Sequence, residues 1–411
     1  MSAVMLLAWW GAPAAASAKC AAPVEWIAAH WDASTDAFAP SSGLGAYQFT
    51  GLAGSNAGDL WIAGDHLMLR IHDGQPSLAF AGDCWPTNYN VAVDPSGIAW
   101  LTGVTIDAPR DTLNFDALRS EAAVARLDDA QIVSLALPAP PPASWAVPAA
   151  AFTTADTGWA VLNADARQPQ VASRLLRFDH GAWRDQDVPV ADPQRIFLRQ
   201  LCAEPFGDTW FVGTAGAARG LPESASYRAV VLRQHDDAWS REEPWPDGAA
   251  RGELSHVVCL GGGAVVAGGS VSRAGGAPPR NSIVVRAPDW QVIALPDAYA
   301  AHDLDAVAAV TAGDVWVSVS SLGDPAGRSH FLHWSAGSWS DVPGPSLPSS
   351  ASTRYAVRAM QFLPSGEGWA VADHRDRPAR GLLLHYADGA WRLQNWNWHF
   401  WDEPWLGLFG H

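Results

Sequence analysis

Seven times along its 411 residues the chain writes the same short phrase, an apolar run that starts at a Gly- or Asp-rich joint and usually carries a tryptophan. The copies are GDLWIAG at Gly58, GIAWLTG at Gly97, TGWAVLN at Thr157, GDTWFVG at Gly207, GGAVVAGG at Gly262, GDVWVSV at Gly313 and GEGWAVA at Gly366. Each is preceded by an apolar run such as VAVDPS, AVAAVTA or AMQFLPS. Each is followed, after an insertion of variable length, by a longer one such as LLRFDHGAW, VVLRQHDDAW, FLHWSAGSW or LLLHYADGAW. A period of this length marks a solenoid, propeller or array, in which each unit buries its apolar surface against its neighbours. Such a chain escapes the ceiling of about 250 to 300 residues on a single core.

The runs are short, alternating and rich in β-branched and aromatic residues, with Gly and Asp at the joints, so each copy reads as four strands. No window holds a 3.6-residue apolar period long enough for a helix, and 37 Gly with 30 Pro interrupt most candidates. Four-stranded units in tandem protect their sheet edges by closing radially. The expected fold is therefore all-β: a seven-bladed β-propeller of four-stranded antiparallel blades, forming a single domain over residues 19–411. The second copy departs most, because AAVARLDDAQIVSLAL lacks the second tryptophan, and the fifth carries Val265 in place of the first.

The G-D-x-W strand followed by an L-x-H/R-x-x-D-G-x-W hairpin resembles the Trp-rich propellers of the BNR/Asp-box and photosystem-assembly-factor type. It is also similar to tectonin lectin repeats. The resemblance implies a fold rather than an activity, since propellers host unrelated functions. It leaves two classes open: a non-catalytic protein-binding or assembly platform, and a carbohydrate-active propeller acting as a lectin, glycosidase or lyase.

Charge narrows the partners. The formal net charge is -16 and the sole lysine is Lys19, so an acidic surface disfavours nucleic acid. Residues 1–18, MSAVMLLAWWGAPAAASA, end in the small-residue pattern of a secretory cleavage site, which places the mature protein in the periplasm or outside the cell. No later segment has the length of a membrane-spanning helix. Export permits disulfides among Cys20, Cys84, Cys202 and Cys259; a Cys20–Cys84 bond is expected, and pairing of Cys202 with Cys259 is left open. The spacings fit no zinc site, and no motif calls for a cofactor.

One cation recurs just before the last hairpin of every copy: Arg70, Arg126, Arg177, Arg233, Arg286, His333 and His385. Each is expected to stack on the tryptophan of the adjacent strand and so to be structural. The tryptophans are expected between blades, and the aromatic tail around Trp396, Trp398 and Phe400 against the first blade or the N-terminal segment around Trp26 and Trp31. The insertions between second and third strands open on one face of a propeller, and they concentrate arginine. The candidate ligand-binding residues are Arg219, Arg273, Arg280, Arg328, Arg375, Arg377 and Arg380, facing an anionic protein surface or an acidic glycan. A monomer is expected. For the carbohydrate-active alternative, the eligible loop carboxylates are Asp165, Asp324, Asp373 and Asp376.

Overall fold

The computed structural model describes residues 49–394 apart from 55–57, 65–66, 73–74, 82–86, 108–118, 129–130, 139–144, 165–171, 189–194, 217–226, 246–250, 273–278, 322–328, 346–354, 364 and 375–380. Its strands fall into seven consecutive groups of four. The first group is β1 (Phe49–Gly54), β2 (Leu60–Gly64), β3 (Leu67–His72) and β4 (Gln75–Ala81); the second is β5 (Thr87–Val93), β6 (Ala99–Asp107), β7 (Arg119–Asp128) and β8 (Gln131–Leu135). The third is β9 (Trp145–Thr154), β10 (Thr157–Ala164), β11 (Arg174–Asp179) and β12 (Ala182–Gln186); the fourth is β13 (Arg195–Ala203), β14 (Thr209–Gly216), β15 (Arg228–His235) and β16 (Ala238–Glu242). The fifth is β17 (Arg251–Gly261), β18 (Ala264–Ser272), β19 (Arg280–Arg286) and β20 (Trp290–Ala294); the sixth is β21 (Asp303–Thr311), β22 (Asp314–Ser320), β23 (His330–Ser335) and β24 (Ser338–Val342). The last is β25 (Tyr355–Phe362), β26 (Gly368–His374), β27 (Gly381–Ala387) and β28 (Ala390–Leu393).

Every group is an antiparallel meander in chain order, and the fourth and fifth join through one residue pair, Arg228 opposite Arg251. Short hairpins close the outer strands on two left-handed residues, as in His180-Gly181, Asp236-Asp237, Ala336-Gly337 and Asp388-Gly389. Gly tolerates that conformation freely and Asp better than most residues, which is why D-G and H-G punctuate the repeat. The second strand of each group is the most buried; β2 and β14 are buried along their whole length. Tryptophans lie between groups as expected, with Trp100 packed on Phe152 and Phe178 of the next unit. The ring closes by packing: Leu52, Leu60 and Ile62 of the first group share one core cluster with Trp369, Val371 and Leu383 of the last.

All seven inner strands carry a bulge at a corresponding level. The register slips by one residue around Thr50, Arg199, Ser255, Asp305 and Arg358, and between Thr87 and Asn90 in β5. In the third group the slip falls where Ala146–Ala149 of β9 faces Val161–Asn163. A bulge leaves its extra residue out of the ladder and re-aims it. Two glycines opposite show the constraint. A Cβ on Gly213 would stand 2.0 Å from the Phe197 carbonyl oxygen, and one on Gly269 2.1 Å from that of Glu253, so only glycine admits the bulged backbone there.

The Cys202–Cys259 pairing that sequence left open is a disulfide, with Cα atoms 5.6 Å apart, joining β13 to β17. Cys20, Cys84, the leader and the aromatic tail lie outside the described residues. Among the described residues, no helix is long and apolar enough to cross a membrane.

Candidate functional site

The recurrent cations behave as structure. Each stands directly opposite the second-strand tryptophan of its own group: Arg70 opposite Trp61, Arg126 opposite Trp100, Arg177 opposite Trp159, Arg233 opposite Trp210, His333 opposite Trp316 and His385 opposite Trp369. The Arg70, Arg177 and Arg233 guanidinium carbons lie 5.3–5.6 Å from those ring centroids, and the two imidazoles stack at 4.0 and 4.2 Å. In the fifth group, where Val265 replaces the tryptophan, Arg286 leans over Trp210 of the neighbouring unit and donates to the Gly263 carbonyl at 2.9 Å.

Carboxylates complete several of these pairs. Arg233 bonds Asp208 at 2.7 Å, and His235 reaches its other oxygen; Arg70 and His72 hold Asp59 in the same way. Burial of Asp59 raises its carboxyl, but the hydrogen bonds from His72 and Arg70 outweigh that and leave it below the usual carboxylate range. Burial lowers His385. These groups are held against tryptophan, and Arg70 and Arg233 also against a buried carboxylate, which accords with a structural role.

The face that receives the second-to-third connections differs. Of the seven arginines expected there, Arg280 is described: it is exposed at the start of β19 and donates to Asp297 at 2.7 Å. Arg219, Arg273, Arg328, Arg375, Arg377 and Arg380 lie outside the described residues, as do Asp165, Asp324 and Asp376. Asp373 is buried and accepts from Arg358 at 2.6 Å, so it serves a structural ion pair instead of standing open as an acid or base.

Arg174 and Arg228 are the first residues of third strands. Arg174 is bonded to Asp185 and lies over Trp145. Arg228 has no acidic partner among the described residues. It is exposed and faces Arg251, also exposed, across the joint between the fourth and fifth groups. The Gly252 amide donates to the Tyr227 carbonyl at 3.0 Å, so the ladder bonds flank this pair. Side chains of such a non-hydrogen-bonded pair stand close together. Neither guanidinium has an acidic or hydrogen-bonding partner among the described residues. Like charges directly opposite one another destabilise a sheet by a few tenths to about 1 kcal/mol. Sequence reasoning missed Arg251, because it opens an inner strand and falls outside the insertions.

A second polar feature runs down the axis. A cavity of about 440 Å³ is enclosed by the seven inner strands, and the bulge residues Thr50, Arg199, Ser255 and Arg358 line it together with Asn90 and Pro148. His256 also lines it. Its Nε2 donates to the Asp305 carbonyl at 3.0 Å and its Nδ1 accepts from the Ser255 hydroxyl at 2.8 Å. Enclosure by protein pushes it down to about 4, so it is neutral at pH 7. None of the described tryptophans is exposed; they fill the spaces between groups.

The fold defined by these sheets is a β-propeller, and its likeness to solved structures agrees. The chain is similar to a puromycin-hydrolysing peptidase of Mycobacterium tuberculosis, with a TM-score of 0.53 and 11% identity over 84% of this chain and 52% of that one. It is similar to a GH74 enzyme of Niastella koreensis, with a TM-score of 0.50 and 11% identity over 85% and 54% of the two chains. The propeller domain of the Trilobed protease from Pyrococcus furiosus matches over 85% and 98%, with a TM-score of 0.47 and 8% identity. The chain thus spans about half the length of the peptidase and of the GH74 enzyme. No protein-family model and no curated protein matches the sequence.

Proposed function

We propose that this protein is an exported, non-catalytic binding platform whose long-connection face docks an acidic protein surface. The observation that carries this reading is the Arg228–Arg251 pair, two exposed arginines opposite one another without acidic partners among the described residues, in a protein of net charge -16. A partner carboxylate placed between them removes their repulsion and gains charge-assisted bonds, so docking relieves a cost that the free protein carries. Arg219 and Arg273 belong to the connections that lead into Arg228 and away from Ser272, the cross-strand neighbour of Arg251. The proposal assigns Arg280 to the same face and, by their places in the sequence alone, Arg219, Arg273, Arg328, Arg375, Arg377 and Arg380. A disulfide between inner strands accords with an oxidising compartment.

The test uses two polyanions of matched length, a fluorescent oligoglutamate peptide and an oligouronate, titrated against the full chain at rising salt. The proposal expects the peptide to bind, with affinity falling about tenfold or more between low and physiological salt. Preference for the oligouronate would assign the face to an acidic glycan, and no binding of either at low salt would reject the face as an anion-docking surface.

A further inference from the structure

The axial cavity holds a second set of unused donors, remote in character from the docking face. Arg199 and Arg358 are the extra residues of their bulges, charged residues in strands that otherwise read IFL-QLCA and YAV-AMQF, and both line the cavity. They belong to the fourth and seventh groups of a ring of seven, three steps apart, so they enter the cavity from nearly opposite walls.

Each is anchored in the same way. Arg199 bonds Glu253 through Nε, and Arg358 bonds Asp373 through Nε at 2.6 Å. Neither acid lines the cavity. The anchors fix each guanidinium while leaving its terminal edge, the Nη1/Nη2 pair that grips a carboxylate with two parallel bonds, without a partner among the described residues. Beside Arg199, the bulge also brings Gln200 to the cavity. Its carbonyl oxygen accepts from the Val257 amide at 2.7 Å, and its amide nitrogen is left to donate.

Opposing groups are scarce. Asp94 is the acid among the lining residues, and it is consumed by the Ser96 hydroxyl, the Ser96 and Ile98 amides and the Trp100 indole. His256 is neutral, and its two nitrogens are already occupied. The axis therefore carries two anchored, fork-presenting cations inside an acidic protein, in a space of about 440 Å³ that suits a small organic molecule better than a single ion.

We infer that the axial cavity is a binding site for a small dicarboxylate, with Arg199 and Arg358 each taking one carboxylate on its Nη edge and Gln200 donating beside Arg199. The spacing of two forks on facing walls selects against monocarboxylates, which satisfy one guanidinium and leave the other desolvated. This site is independent of the docking face, since neither Arg228 nor Arg251 lines the cavity.

Calorimetric titration with succinate, glutarate and adipate, against hexanoate as the single-charge control, tests it on the full chain. At least one diacid is expected to bind about tenfold or more tightly than hexanoate. Arg199→Gln is expected to weaken that diacid by about tenfold or more, and it leaves only the partly exposed Glu253 without its cation. Arg358→Gln strands the buried Asp373 and risks the fold, so Arg358→Gln is paired with Asp373→Asn; circular dichroism confirms folding before titration. Arg228→Gln is expected to leave diacid affinity unchanged. No diacid binding at millimolar concentration, equal binding of hexanoate, or undiminished affinity in Arg199→Gln would each overturn the assignment.

Discussion

Strand β15 contains the comparison that organises this molecule, because Arg228 begins it and Arg233 lies five residues further toward its other end. At the short-turn end, Arg233 is sandwiched against Trp210 and bonded to buried Asp208. At the long-connection end, Arg228 is exposed and faces another arginine. One residue type thus has two fates, decided by position along a strand. Short turns bring an acidic residue to the start of the second strand, where it meets the cation of the third. The opposite ends lead into connections of variable length; there Arg174 and Arg280 pair with Asp185 and Asp297, whereas Arg228 meets Arg251. An arginine is structural where the repeat supplies both its aromatic face and its carboxylate, and available where it supplies neither.

The largest expected break falls on the structural side. Trp210→Ala removes a fully buried ring shared by the fourth and fifth groups and is expected to cost up to about 5 kcal/mol in denaturant unfolding, with oligoglutamate affinity unchanged in the surviving native fraction. Replacing both Cys202 and Cys259 by Ser frees a loop of 57 residues, with an expected loss of about 4 kcal/mol by chain entropy, measured the same way. Arg233→Gln leaves Asp208 buried with only His235 beside it and is expected to cost about 2 kcal/mol.

A smaller effect appears along pH. His256 binds its proton only near pH 4 when folded, against about 6.5 in the unfolded chain. Between those values the unfolded state holds more protons, so stability rises with pH across the window and is fully present above it. His256→Gln is expected to flatten that slope in chemical denaturation between pH 4 and 6.5. An unchanged slope would show that other groups set the acid sensitivity. The smallest change in stability is expected from Arg251→Thr, which relieves the cross-strand repulsion and gains a few tenths of a kcal/mol while weakening oligoglutamate.

Much of this contrast was legible in the sequence. The G-D-x-W phrase and the cation before the last hairpin carried the strand count, the Trp–Arg stacking and the structural role of Arg70 through His385, because that pattern is local and repeats. Arg199, Arg251 and Arg358 were not found, because bulges break the alternation on which face assignments rest. A signal was present: an arginine inside IFLRQLCA and another inside YAVRAMQF interrupt otherwise apolar inner strands. Together with the glycines at 213 and 269, they mark where the backbone leaves its register. Pairing of Cys202 with Cys259 depended on how β13 packs beside β17, which spacing alone does not disclose.

The most direct test reverses charge at each end of the comparison and reads the same ligand. Oligoglutamate binding is titrated at low salt for the native chain, for Arg228→Glu with Arg251→Glu, and for Arg177→Glu, whose partly exposed side chain stacks on Trp159 and pairs with Asp237. The account predicts that the double reversal abolishes binding with little change in Tm, whereas Arg177→Glu lowers Tm and leaves affinity within about twofold. Binding that survives the double reversal, or that falls equally in Arg177→Glu, would contradict it.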